Sequence, residues 1–192
     1  GTAMRLLEDR IKSEGRILPG DVIKVDSFLN HLIDVELVSK CADEWYAAFG
    51  ECGVTKILTI EASGIPLATV TAAKFGVPML YAKKTRSATT SNKVLSTKVV
   101  SYTHGQTYDV IVSRDYIKAG EKILIIDDFL ANGCALQGLI SIAESAGAIV
   151  EGCGIVLETN HHMSLHIASV YYFAVTFVQK FQLLHGTHYL RK

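Results

Sequence analysis

The sequence is poor in the features that mark disulfide scaffolds, metal modules, membrane spans and nucleic-acid binders. Its four cysteines, Cys41, Cys52, Cys134 and Cys153, form no CxxC pair or other metal-ligand spacing. Scattered in this way they fit a reducing compartment and exclude a zinc module or a disulfide framework. Neither charge predominates: Lys plus Arg and Asp plus Glu number 19 each. That balance argues against a nucleic-acid surface or a polybasic membrane contact and favours a small-molecule partner. The longest apolar stretch, Met163 to Val178, has 16 residues and contains His166. It falls short of the roughly 20 residues needed to span a bilayer and reads as a buried or dimer-facing segment. No signal peptide is apparent, because Met4 is followed by charged residues, and Gly1 to Ala3 read as a cloning remnant. A cytoplasmic protein is the expectation.

At 192 residues the chain fits one domain that can bury a substantial core without staples. Met4 to Glu14 reads as an amphipathic helix stopped by Gly15. A second helix is expected from Asp34 as cap through Leu37, Val38, Ala42, Trp45 and Phe49 to Gly50. Between them RILPGDVIKVDSFLNH reads as an irregular cover. From Lys56 the pattern turns regular: strand KILTI, loop EASG, helix Ile65 to Phe75, strand PMLYA. That is a βαβ unit with a right-handed crossover and parallel strands. Lys83 to Asn92, KKTRSATTSN, reads as a mobile surface loop, followed by a hairpin from Val94 to Tyr102 and Asp109 to Val112. Another strand is expected over Ala148 to Leu157.

ILIIDDFLANGCA, from Ile123 to Ala135, carries the most chemistry. Four consecutive apolar residues, Ile123 to Ile126, read as a strand buried on both faces, as in the parallel sheet of an α/β domain. The strand is expected to end in Asp127 and Asp128. A tight loop follows, then a helix from Ala135 to Ala146. Ligands of open α/β sheets sit at the carboxyl ends of strands, and a helix start attracts phosphate. Two adjacent carboxylates repel unless solvent, a cation or ligand hydroxyls relieve them. A ribose 5-phosphate meets both demands. The loop Glu61, Ala62, Ser63, Gly64 can form an anion nest, or serve only as a βα turn. Lys83, Lys84 and Arg86 can reach a diphosphate, or form a solvated loop. Cys134 lies inside the motif, either as a small loop filler or as a thiol activated by the helix start. Three anion-suited loops around one sugar-phosphate site imply a substrate with phosphate at both ends.

The motif ILIIDDFLANGCA resembles the PRPP motif of the type I phosphoribosyltransferases. Together with KVDSFLNH (Lys24 to His31) and TIEASGIP (Thr59 to Pro66), in that order and spacing, it resembles the bacterial xanthine phosphoribosyltransferase family over roughly Met4 to Glu158. The resemblance implies a mainly parallel sheet flanked by helices, with a small hood over the base site. The hood would span about 16–33 plus the tail 159–192, the core 34–158, all in one domain from Met4 to Lys192. It implies transfer of the 5-phosphoribosyl group from PRPP, bound with Mg2+, to xanthine, giving XMP and pyrophosphate in purine salvage by a homodimer. Asp127 and Asp128 would hold the ribose hydroxyls and stabilise positive charge developing at the sugar. Ala131, Asn132, Gly133, Cys134 and Ala135 would bind the 5-phosphate. Glu61 to Gly64 would bind pyrophosphate, and the loop bearing Lys83, Lys84 and Arg86 would close over the site to exclude water.

For the base, the resemblance assigns Ile23 and Asn30, whose amide offers both donor and acceptor to an oxopurine edge. The family pattern expects a lysine after the strand ending VLE, and this chain has Thr159. Threonine can hydrogen-bond but brings no positive charge to an acidic purine. Composition shifts at the same point: the 34 residues from Thr159 contain no acid and five of the seven histidines. A diverged or frame-shifted tail would account for both. His161, His162 and His166 suggest a metal site without further ligands to support it. Adenine or hypoxanthine/guanine transfer remains an alternative, as does a non-catalytic PRPP-sensing regulator, for which the chain has no spare length or basic patch to bind DNA.

Overall fold

The computed structural model describes residues 2–18, 22–87, 91–100, 105–130, 133–158 and 172–177. Helix α1 (Thr2–Glu14) buries Leu7 and Ile11, four residues apart on one face, and Gly15 closes it by donating its N–H to the Ile11 carbonyl. It begins at Thr2, so the first residues join the helix. Strands β1 (Arg16–Leu18) and β2 (Val22–Lys24) then form an antiparallel hairpin with Ile17 opposite Ile23. A wide helical turn, Asp26–Asn30, follows. This corrects the expectation of an irregular cover over 16–31. Val25, Phe28 and Leu29 are fully buried, so the segment is pinned by its own apolar anchors.

Helix α2 (Val35–Phe49) starts where the Asp34 carboxylate accepts the Leu37 N–H at 3.1 Å. Its Leu37, Val38, Cys41, Trp45 and Phe49 recur at helical spacing and lie in the core. Strand β3 (Lys56–Ile60), helix α3 (Gly64–Phe75) and strand β4 (Met79–Thr85) form the anticipated βαβ unit, with β3 and β4 parallel. Strands β5 (Val94–Val100) and β6 (Thr107–Ser113) form the antiparallel hairpin. Strand β7 (Lys122–Leu130), helix α4 (Cys134–Ser145) and strand β8 (Ile149–Glu158) repeat the βαβ pattern, and β9 (Tyr172–Phe177) pairs parallel to β8.

The sheet order is β5-β6-β4-β3-β7-β8-β9. From β4 to β9 neighbouring strands run parallel, while β6 pairs antiparallel with both β4 and β5. On β7, Leu124 and Ile126 face a core shared with α1, α2 and α3, whereas Ile123 and Ile125 face one shared with α4 and the hairpin. All four are fully buried, as the uninterrupted apolar run predicts.

Two boundaries differ from those read in the sequence. The strand β7 continues past the acidic pair to Leu130, because β8 stays in register that far: Phe129 lies opposite Leu157 and Leu130 opposite Glu158. Lys83 and Lys84 are not in a loop; they close β4, opposite Ile111 and Val110 of β6. Of the apolar tail, Tyr172 to Phe177 extend the sheet, while Thr159, His161, His162 and His166 lie outside the described residues. No helix among the described residues is long and apolar enough to cross a membrane.

Candidate active site

Adjacency of β4, β3 and β7 brings the segments that follow them to one edge of the sheet. The acidic pair sits deepest. Asp127 and Asp128 are only 5% and 7% exposed. The Asp127 carboxylate accepts the Asp128 N–H, and the Asp128 carboxylate accepts the Phe129 N–H, each at 2.9 Å. Burial, then the charge of Asp128, push the Asp127 carboxyl well above the ordinary aspartate range, while the Lys84 ammonium opposes them. A buried carboxyl held in this way is suited to a ligand that brings positive charge.

Immediately beyond, Gly133 caps α4 with φ of 80°, a left-handed conformation that glycine adopts freely. Half-buried Cys134 and Ala135 open the helix, and its exposed N–H end is suited to an anion. Ala131 and Asn132 lie outside the described residues. Burial raises the Cys41 thiol to about 12, and burial with the Asp127 charge raises Cys153 to about 12, the direction that disfavours the nucleophilic thiolate.

Across β3, Glu61 donates its N–H to the Ala82 carbonyl at 3.0 Å, and its carboxylate accepts the Lys84 N–H at 2.6 Å. The Glu61 side chain therefore binds the neighbouring strand, leaving backbone as the anion-facing part of the turn. Ala62 and Ser63 form that turn, and Gly64 opens α3 directly over Thr59. Lys83, Lys84 and Arg86 are exposed along and just beyond the end of β4.

On the hood side, Asn30 ends the helical turn with its amide oxygen buried and without a hydrogen-bond partner. A buried orphan acceptor is costly to leave unmade, so it marks a place for a ligand donor. Phe28 and Leu29 lie in the core cluster that also holds Leu157, and Phe129 packs against that cluster. Ile23 lies in β2, and Thr159 lies outside the described residues.

Sequence reasoning missed two residues here. Thr59 is fully buried, and its hydroxyl has no hydrogen-bond partner. Tyr108 of β6 packs against the same core cluster as Cys134 and Ala135, and the Lys84 ammonium lies 5.2 Å from the centre of its ring. The polar break in KILTI was a visible sign of the first. The second arises from strand pairing and had no local sign.

An acidic pair at the carboxyl end of a central parallel strand, one short loop from a helix start and flanked by two anion-suited turns, is the architecture of a sugar-phosphate transferase. The chain belongs to the phosphoribosyltransferase family: the model of the phosphoribosyl transferase domain matches residues 25–183. Within that family it is 49% identical over 175 residues to a xanthine phosphoribosyltransferase of Lachnoclostridium phytofermentans, covering 87% of this chain and 90% of that one. It is 51% identical over 156 residues to a xanthine phosphoribosyltransferase of Bifidobacterium longum subsp. infantis, covering 81% of each. In fold it is similar to the adenine phosphoribosyltransferase of Rhodothermus marinus, with a TM-score of 0.72, 23% identity, and coverage of 92% of this chain and 98% of that one. The adenine phosphoribosyltransferase of Saccharomyces cerevisiae gives a TM-score of 0.69 at 17% identity, covering 90% of this chain and 99% of that one.

Proposed function

We propose that this protein transfers the 5-phosphoribosyl group of PRPP to xanthine, giving XMP and pyrophosphate. The observation that carries the reading is the buried Asp127–Asp128 pair at the end of β7, beside the start of α4. In this reaction a purine nitrogen forms a bond to the anomeric carbon as the bond to pyrophosphate oxygen breaks. Positive charge develops at the sugar between those events. Fixed carboxylates beside it stabilise that charge without reorganising. The N–H groups at the start of α4 hold the 5-phosphate, and the Glu61–Gly64 backbone with Lys83, Lys84 and Arg86 receives the pyrophosphate end. Asn30 presents its unpaired amide oxygen to a base N–H, and the resemblance assigns Ile23 and Thr159 to the base as well.

Among the described residues no three or more His, Cys, Asp or Glu side chains converge as a metal cage. The two carboxylates of Asp127 and Asp128 nevertheless suit magnesium that arrives on PRPP, because that ion is held mostly by phosphate oxygens and water. Carried in on PRPP, magnesium would supply positive charge to offset that of the departing pyrophosphate. The resemblance also supports a homodimer acting in the cytoplasm.

Xanthine is favoured by the relatives at about half identity, whereas Thr159 in place of a lysine favours a less acidic purine. Pyrophosphate release, measured with PRPP, magnesium and each of xanthine, hypoxanthine, guanine and adenine in turn, decides between them. Fastest release with xanthine is the expected result. Preference for another purine would overturn the base assignment, and PRPP binding without release for any base would identify a regulator.

A further inference from the structure

We infer that Tyr108 is a positioning residue for the diphosphate end of the substrate: its ring seats the Lys84 ammonium at the carboxyl end of β4, so the cation is aimed before the anion arrives. The inference rests on the proposed phosphoribosyl transfer. Three independent pieces of geometry support it. The Lys84 ammonium lies 5.2 Å from the ring centre, within the range of cation–π attraction. The backbone of Lys84 is fixed as well, because its N–H is donated to Glu61 and the residue pairs with Val110. Tyr108 itself is half-buried, packed against the same core cluster as Cys134 and Ala135, so the ring is a firm seat.

Seating on a ring differs from pairing with a carboxylate. Among the described residues Lys84 makes no ion pair through its ammonium, and an aromatic face attracts the cation without consuming its N–H donors. The donors stay available to phosphate oxygens while the side chain has already given up most of its freedom. Pre-ordering of this kind raises affinity by lowering the entropy lost on binding. Tyr108 directly precedes Asp109, which pairs with Thr85, so the residue stands at the carboxyl end of β4; burial, then the charges of Asp127 and Cys134, push its hydroxyl above its ordinary range.

The test is calorimetric binding of PRPP with magnesium, without base, to wild type, Tyr108→Phe, Tyr108→Leu, Lys84→Met and the double variant Tyr108→Leu/Lys84→Met. Tyr108→Phe keeps the ring and should bind within about twofold of wild type. Tyr108→Leu should weaken binding about threefold to tenfold, the range of a partly desolvated cation–π contact. In the Lys84→Met background the same change should have almost no further effect, because the ring then has no cation to seat. Tyr108→Met, which refills the space with a flexible apolar chain, replaces Tyr108→Leu if that variant unfolds. Equal losses from Tyr108→Leu with and without Lys84, or a loss in Tyr108→Phe as large as in Tyr108→Leu, would overturn the assignment. Failure of wild type to bind PRPP would instead overturn the proposed function.

Discussion

Gly64→Ala should destabilise the protein because of one atom, and a second substitution should reverse the effect. A methyl group at Gly64 would collide with the Thr59 hydroxyl oxygen and lie 3.4 Å from the Thr59 β-carbon and from an Asp127 carboxylate oxygen. Gly64 is the first residue of α3, and its φ is not in the left-handed region, so alanine fits the backbone and only the collision opposes it. Thr59 cannot swing away cheaply: it is fully buried, and a β-branched side chain has few χ1 alternatives. Overpacking of this kind costs about 1–3 kcal/mol.

Thr59→Ala removes the colliding oxygen. By itself it loses a buried methyl, about 1 kcal/mol, but also relieves a buried hydroxyl without a partner, about 1–3 kcal/mol, so its net effect should lie between none and about 2 kcal/mol of stabilisation. The double variant Gly64→Ala/Thr59→Ala should then return to within about 1 kcal/mol of Thr59→Ala, a coupling well above that of independent sites. Thr59→Val is the informative control. It places a methyl where the hydroxyl stood, so it should stabilise the wild-type background and fail to rescue Gly64→Ala. Urea unfolding followed by the emission of Trp45, the sole tryptophan, compares each variant, and Gly64→Ala/Thr59→Val, with wild type. The reasoning is refuted if Gly64→Ala/Thr59→Ala unfolds at the same urea midpoint as Gly64→Ala alone.

Replacing either acidic residue should abolish most turnover, by on the order of 100-fold, with the fold retained, as expected for loss of a fixed charge at a charged transition state; wild-type rates in Asp127→Asn and Asp128→Asn would remove that role. Because the folded-state pKa of Asp127 is raised, the stability linked to it is full below the ordinary aspartate value of 3.8 and is lost as pH rises through the raised value. Asp127→Asn should therefore melt above wild type at neutral pH, which a thermal scan tests directly. Glu121 shows the opposite sign: burial pushes its carboxyl up, but the Lys56 ammonium at 2.7 Å and the Lys118 N–H hold it below 4.5. Its contribution is present above that value and lost as pH falls through the lowered one, so Glu121→Gln should flatten the acid limb of a Tm–pH curve; an unchanged limb would contradict this. Gly154→Ala would bring a methyl to 2.7 Å from Ile126 and 2.8 Å from Trp45 and should cost about 1–3 kcal/mol, read as a lower urea midpoint.

Legibility in the sequence followed the range of the interactions. Helix α2 could be read from Asp34 to Phe49 because its cap and its apolar spacing are local. Strand β7 announced itself through four adjacent apolar residues that only a doubly covered strand accommodates. Lys83 and Lys84 looked like loop because their ordering comes from β6, more than twenty residues further along the chain, and a basic pair shows nothing of such pairing. Val25, Phe28 and Leu29 escaped notice because a single wide turn is too short to display a period. The acidic pair and the α4 start were found because both lie in one contiguous motif. Tyr108 was not, since it reaches the site only through the register of β5, β6 and β4. The apolar tail was evident as apolar, but a short run of that kind does not distinguish strand from helix.

Glu61 gives the site a mechanical property. Its N–H and its carboxylate both engage β4, at Ala82 and Lys84, so the turn after β3 is riveted to the strand bearing the lysines. The turn after β3 and the end of β4 therefore travel as one part. A shift of the turn would be geared through β4 to Lys84 and the Tyr108 ring, so none of the three would move alone.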